Sequence, residues 1–306
     1  MELSYCIVNT NGREDLLACL EAIHRTHPAG VSYEILVLDN ASDDGSAEAV
    51  RGAFPDVRVL TQDRRAGISA NLNRVVAEAQ GRFCLSLNED SFVTEGAAAA
   101  LLDAMDADPR AGAAGAMLLD RDGRETACAW RLPDLGSVVA SALFLHRWLV
   151  TQSGGGGTRQ VGWVRSAAIM IRPEAGGEVG WFDPNFFFYG EECDFQKRLH
   201  DEGWHVLHVP AARVIHDEGD RFAPRRIGQF HRGRDQYMRK HHSMAVVAAS
   251  RVLWSWSYAA RALAAMVLPG HDARGYWFHA RCALRPRSRE GMREAAEAYN
   301  RRRAAT

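Results

Sequence analysis

Nowhere do two of the six cysteines stand as a Cys-x-x-Cys pair: Cys6, Cys19, Cys84, Cys128, Cys193 and Cys282 are scattered along 306 residues. That spacing argues against a zinc site or a disulfide frame and for buried free thiols in a reducing compartment. An excess of one charge is also missing. With 37 Lys and Arg against 38 Asp and Glu the net charge is −1, so no nucleic acid partner is expected. A membrane-spanning run is absent too, because the apolar segment 244–268 is interrupted by Arg251, Ser255, Ser257 and Arg261. Met1-Glu2-Leu3-Ser4-Tyr5 places no basic region before an apolar run. No secretion signal is therefore visible, and the expected location is the cytoplasm, with the inner face of the membrane left open. The glycine run 154–157 lacks the Gly-Lys-Ser or Gly-Lys-Thr of a phosphate loop and reads as a connector.

What remains is the composition of a folded protein, 47% hydrophobic and 25% charged, on a chain long enough for a large core. Residues 3–8 form an apolar, β-favouring run stopped by Asn9-Thr10-Asn11-Gly12. Leu16, Leu17, Leu20 and Ile23 then recur at helical spacing until Pro28 and Gly30. The unit repeats. Residues 33–38 read as a strand, 39–45 as a polar turn, 46–52 as a short helix, 57–60 and 82–87 as strands flanking a helix over 69–80. This alternation predicts an α/β fold with a Rossmann-like, mostly parallel central sheet and helices on both faces. Residues 111–119 add a strand, Val161-Gly162-Trp163-Val164 and 167–171 resume the sheet, and a strand from Trp204 to Val209 precedes Arg213-Val214-Ile215-His216. Ligands of such sheets bind beyond the carboxyl ends of the strands, where Asn9-Thr10-Asn11, Asp39 and Asn88-Glu89-Asp90 would converge. Taken singly, Asp39 or Asp90 could equally cap the helix that follows.

The stretch from Trp181 to Phe195 sets three carboxylates, Glu191, Glu192 and Asp194, within four positions directly behind an aromatic run. Held near an apolar surface, such charge is costly unless it is used. A helix beginning near Glu191 and ending at Gly203 puts Glu192, Phe195 and Leu199 on one face, with Glu192 at the positive end of the helix dipole. The alternative is that these acids cap the helix and pair with Lys197 or Arg198.

Five motifs in order resemble family 2 glycosyltransferases, inverting enzymes of GT-A fold, in their rhamnosyltransferase-like and galactofuranosyltransferase-like branch. They are Val8-Asn9-Thr10-Asn11-Gly12, Leu38-Asp39-Asn40-Ala41-Ser42-Asp43-Asp44-Gly45-Ser46, Leu87-Asn88-Glu89-Asp90, the Trp181 to Phe195 stretch, and Pro210-Ala211-Ala212-Arg213-Val214-Ile215-His216. The likeness covers residues 3 to about 242, which it makes the catalytic domain, and leaves 243–306 as a helical extension.

The resemblance implies a nucleoside diphosphate sugar donor, dTDP-rhamnose or a UDP-hexose, and a glycan, lipid-linked or small-molecule acceptor. It implies Asp90 and His216 as metal ligands for Mn2+ or Mg2+, the imidazole tilting the choice to manganese. Asn9, Thr10, Asp39, Arg65, Asn73, Asn88 and Asp90 fall on its nucleotide side, and Trp163, Arg165, Trp181 and Asp194 on its donor and acceptor side. Its general base falls at Glu192, a glutamate where aspartate is usual, and Glu191 could share that duty. Trp181 replaces a usual glycine and Arg165 a usual serine. Arg221, Arg225, Arg226, Arg232 and Arg234 follow His216; of these Arg225 and Arg226 are the candidates to fold over the diphosphate, with a solvated basic face as the alternative. Two other functions fit parts of the pattern: an idle nucleotide-sugar-binding protein, and a sugar nucleotidyltransferase, whose Gly-rich loop after the first strand is lacking.

Within 244–268, Ser250, Arg251, Ser255, Ser257 and Arg261 gather on one side at helical spacing, which predicts an amphipathic helix. It could lie on a bilayer, pack on the catalytic domain or form a homodimer; packing or dimerisation is favoured because few basic residues line the polar side. The Arg-rich tail 281–303 reads as a solvated helix or an attraction to anionic lipid.

Overall fold

The computed structural model describes residues 1–216, 223–268, 272–288 and 290–305. It opens with β1 (Leu3–Asn9), a strand buried throughout, and α1 (Arg13–Thr26), which turns Leu16, Leu20 and Ile23 inward. Then come β2 (Tyr33–Asp39), α2 (Ser46–Ala53), β3 (Arg58–Thr61), α3 (Ile68–Val76) and β4 (Phe83–Asn88). These strands lie parallel in the order β3-β2-β1-β4, and their register sets Asn9 beside Asp39 and Val8 beside Asn88. The polar strand ends are thus neighbours at one edge. Helix α3 stops at Val76 rather than running to Gln80, because the chain must swing into β4 at Gly81, whose N–H donates to Ser4 Oγ at 2.8 Å.

Next are β5 (Ser91–Val93), α4 (Ala97–Ala107), β6 (Ala111–Leu119), β7 (Ala129–Trp130), α5 (Leu135–Ala142), α6 (His146–Leu149), β8 (Arg159–Gln160), β9 (Trp163–Val164), β10 (Ala168–Ile171), α7 (Pro173–Glu178), α8 (Glu191–Asp201) and β11 (His205–His216). Beyond β4 the sheet is mixed rather than mostly parallel: β10 runs antiparallel between β4 and β6, β6 is parallel to β11, and β5 closes the edge antiparallel. The run 161–164 does not continue one strand. β8 joins β11, whereas β9 leaves the sheet to pair with β7. Gly115 of β6 explains why: a Cβ there would stand 2.5 Å from Val164, so β9 lies over the sheet where only glycine leaves room. β11 is a single strand with a register break at Pro210, where the sequence reads as two.

The helices α9 (Pro224–His241), α10 (Met244–Ala265), α11 (Ala273–Leu284) and α12 (Met292–Arg303) complete the described chain. Two apolar clusters cover the two faces of the sheet. A third joins Phe186 and Cys193 to Tyr237, Val247, Trp254 and Ala283, so residues after 243 share a core with the carboxylate stretch. Helix α9 crosses the start of α8 at closest range: a Cβ on Gly233 would fall 1.9 Å from the Tyr189 carbonyl oxygen. The amphipathic reading of α10 is inverted. Its buried side is Val247, Ser250, Trp254 and Ser257, and Arg251 turns inward to Asp235, while Val252, Trp256 and Leu263 face out. Small serines let the helices approach, and this outweighs the burial that Val252 or Leu263 would gain.

Candidate active site

The ends of β1, β2 and β4 build one side of a cleft. Asn9 is wholly buried; its amide donates to Asp39 Oδ1 at 3.1 Å and to Ser42 Oγ at 3.2 Å, and its Oδ1 accepts from Gly12 N–H. With its hydrogen-bonding groups spent inside the protein, Asn9 holds the loop rather than meeting a nucleotide. Asp39 Oδ2 accepts from Ser42 N–H at 3.0 Å, the turn-capping role, while the residue also borders a polar groove of about 230 Å³ between α2, Thr61, Gln62 and Arg303. Thr10 Oγ1 accepts from the Asn40 amide at 2.9 Å. The left-handed backbone of Asn11 (φ 57°) and Ala41 (φ 54°) shapes these turns. Asn73, read as nucleotide-binding, instead clamps the cleft's far wall: its amide donates to the Phe182 carbonyl at 2.7 Å and its Oδ1 accepts from Phe182 N–H at 3.0 Å.

The register of β11 against β5 pairs His216 with Ser91, and so carries its imidazole to Asp90. His216 Nε2 stands 3.4 Å from Asp90 Oδ1 and 3.3 Å from the Asn88 amide nitrogen. Asp90 Oδ1 and His216 Nδ1 are buried without hydrogen-bond partners. Uncompensated groups of this kind are costly and call for an unseen partner. Among the described residues no cluster of three or more His, Cys, Asp or Glu forms a metal site. Asp90 Oδ1 and His216 Nε2, an oxygen and an imidazole nitrogen 3.4 Å apart, would nevertheless fit a hard divalent cation. Glu89, next in sequence, is a group the motif reading passed over. Burial first, then the Asp90 charge, raise its carboxyl to about 7, and it packs where a Cβ on Gly12 would meet its Cγ at 2.8 Å. The only signal in the sequence was a glutamate where the motif carries proline.

The opposite side is the start of α8. Gly190 (φ 90°) and Tyr189 (φ 65°) turn the chain into the helix through left-handed backbone, strained for a tyrosine. Glu191 is 4% exposed. Burial, and then the adjoining Glu192 charge and a hydrogen bond to it, push the Glu191 carboxyl well above the usual range. Glu191 is thus the more enclosed of the pair and Glu192 the more accessible. One oxygen of each, Oε2, is buried and unpartnered. Tyr189 feels Arg226, both glutamates and Arg165, and Glu89 feels Arg226 as well, which sets Arg226, in the first turn of α9, between the Asp90 side and the Glu192 side. Arg225 is exposed beside it, and Arg221 lies outside the described residues. Arg232 reaches Glu294, and Arg234 lies 3.5 Å over the Trp254 ring, so neither belongs to the cleft.

The four residues read as substrate-facing make contacts within the protein. Asp194, with no exposure, receives Lys240, His241 and Arg198. Trp181 has φ 57°, which explains why glycine is usual at its position, and its ring lies where a Cβ on Gly176 would come within 2.7 Å. Trp163 stacks on Trp130 at 4.5 Å, and Arg165 lies 5.4 Å over the same Trp130.

The Arg-rich tail supplies contacts the motifs could not foretell. Helix α12 lies across the two nucleotide-side loops: Asn300 accepts from Arg65 N–H at 2.7 Å and donates to the Arg65 carbonyl at 3.0 Å, and Tyr299 Oη donates to the Ala41 carbonyl at 3.0 Å. Arg65 stacks 3.6 Å over Tyr299 and pairs with Asp43. The tail is thus a strap over the Asp39 groove rather than a free solvated helix. Asn300→Ala removes two hydrogen bonds of about 1 kcal/mol each, so the fold is expected to lose about 2 kcal/mol; denaturant melts check this, and an unchanged midpoint would contradict it.

The sequence profile of Glycosyl transferase family 2 matches residues 4–127. The N-acetylglucosaminyl-diphospho-decaprenol L-rhamnosyltransferase of Mycobacterium tuberculosis is 32% identical over 201 residues, 60% of this chain and 66% of that protein's length. Among solved structures, the mannosyltransferase PcManGT of Pyrobaculum calidifontis with GDP-Man and Mn2+ superposes with a TM-score of 0.58 at 17% identity, over 99% of this chain and 86% of that one. GalNAc-T7 with UDP, GalNAc and Mn2+ gives 0.58 at 17% identity, over 98% of this chain and 57% of that one. At such identities the structures speak for the GT-A fold alone. Motifs, fold and sequence relatives agree that the chain carries a glycosyl transferase family 2 domain and is similar to the family's rhamnosyltransferase-like members.

Proposed function

We propose that the protein is an inverting, divalent-cation-dependent glycosyltransferase that moves a sugar from a nucleoside diphosphate sugar to an acceptor hydroxyl. The observation that carries this reading is the unpartnered Asp90 oxygen facing His216 Nε2, together with the Glu191–Glu192 pair at a helix start, Arg226 acting on the neighbours of both. Asp39 and the loops strapped by α12 bind the nucleoside. Asp90 and His216 would hold Mn2+ or Mg2+, which would supply positive charge against that of a departing diphosphate. Arg226 adds a cation at the same place. Glu192 takes the acceptor proton as the acceptor oxygen attacks the anomeric carbon from the side opposite the leaving nucleoside diphosphate; the new bond forms as the old one breaks, and the configuration inverts.

The donor is a dTDP-rhamnose or a UDP-hexose, and the likeness to a rhamnosyltransferase favours the deoxysugar. Incubation with a panel of nucleotide sugars and Mn2+ or Mg2+ is expected to release nucleotide from one of them, with loss of release on chelation. Asp90→Ala is expected to lower that release about a hundredfold. Tight nucleotide binding without turnover of any donor would instead mark an idle binding protein.

A further inference from the structure

The most exposed apolar surface lies away from the cleft, and the motifs say nothing of it. Leu143 and Trp148 on the α5–α6 corner, Trp256, Leu263 and Val267 along α10 and just past it, and Trp277 on α11 all face outward. Trp148 is 73% and Val267 81% exposed, so these are protruding side chains rather than the walls of a groove. They form one face: Ser257 Oγ donates to the Ser141 carbonyl at 3.2 Å, Arg261 lies 4.9 Å over the Phe144 ring, and α11 packs along α10. Residues 134–150, 244–268 and 272–288 together carry seven arginines, of which Arg251 pairs with Asp235, against two aspartates, the exposed helix caps Asp134 and Asp272, in a chain whose net charge is −1. Arg147, Arg274 and Arg281 are exposed among the apolar tips.

We infer that this face docks on the surface of a bilayer containing anionic lipid. Protruding tryptophan and aliphatic side chains with interleaved cations suit the headgroup boundary, where rings sit at the interface and guanidinium groups meet lipid phosphate. A second copy of the chain suits the face poorly, because a two-fold contact would set the same excess of arginine against itself. Among the described residues no helix is long and apolar enough to cross a membrane, so the contact is peripheral. The face also leads to the acceptor side. Residues 131–134 join α5 to Trp130, on which Arg165 lies, and Arg165 acts on Tyr189 at the glutamate pair. Resting on the transferase reading above, this geometry presents the cleft to an acceptor hydroxyl carried at the lipid surface.

Co-sedimentation of the full chain with vesicles tests the docking without donor or metal. The chain is expected to bind phosphatidylcholine–phosphatidylglycerol vesicles, to bind phosphatidylcholine alone more weakly, and to lose affinity with added salt. Trp148→Ser combined with Val267→Ser should lower the partition coefficient about tenfold or more, and Arg147→Glu with Arg274→Glu should abolish the preference for the anionic vesicles. These exposed changes should leave nucleotide release to a water-soluble acceptor at the parental rate, which reports on folding. A chain that stays in the supernatant with both vesicle types, or a dimer in sedimentation equilibrium that Trp148→Ser dissociates, overturns the inference. Vesicle binding without any donor turnover would sink the transferase reading alone, and turnover without vesicle binding the docking alone.

Discussion

Glu192→Gln is expected to lower kcat by about a hundred- to ten-thousandfold while leaving donor affinity nearly unchanged, because it removes the group that accepts the acceptor proton and nothing that holds the nucleotide. Glu191→Gln should cost about tenfold or less. Glu191 is enclosed, and burial and its neighbour raise its carboxyl, which favours the protonated form; that form donates a hydrogen bond, and a glutamine amide donates in its place. The two variants therefore separate a question the sequence left open, which of two adjacent glutamates is the base. Steady-state kinetics on both, with donor binding measured by titration calorimetry, is the check. A larger loss from Glu191→Gln than from Glu192→Gln would reverse the assignment.

Asp194→Asn is expected to destabilise the fold by about 3 kcal/mol, the low end for removing one partner of a buried ion pair because Lys240 still reaches solvent. Asp194 Oδ1 receives Lys240 Nζ and His241 Nε2, each at 2.8 Å, and Oδ2 receives Arg198 at 2.9 Å. These contacts bolt α8 to the end of α9, and Arg198 in turn donates to the Trp181 carbonyl at 2.6 Å. Burial works against the Asp194 charge, but the hydrogen bonds from His241 and Lys240 and the Arg198 charge outweigh it and hold the carboxyl below the ordinary range. A depressed carboxyl contributes stability that is present above its unfolded pKa, about 4, and lost as pH falls through the folded value. The gap between parent and Asp194→Asn in denaturant melts should accordingly be full at neutral pH and shrink under acid. A gap that stays constant into acid would refute the ion-pair account.

Much of the parallel half of the fold was legible because its strands are short apolar runs stopped by polar turns, and parallel register follows once such strands share helices on both faces. β10 and β9 were not, since a run of Ala167 to Ile171 reads the same in either direction, and only the space over Gly115 decides that β9 leaves the sheet. Among the site residues, spacing could mark Asp39, Asp90, Glu191, Glu192 and His216 as chemically odd. It could not tell that Asn9, Asn73, Trp181 and Asp194 have their polar atoms or rings taken up inside the protein.

By itself the sequence determined the family likeness, the α/β core and the acidic and imidazole groups that chemistry requires, because those depend on local pattern and on residue types at strand and helix ends. Tertiary structure alone decided what long-range packing controls. It buries Glu191 and leaves Glu192 the more accessible, lays Tyr299 and Asn300 across loops more than two hundred residues earlier, and turns the serine side of α10 inward. The reason is physical: a side chain's burial and partners, which set its charge state and its role, come from segments distant in the chain.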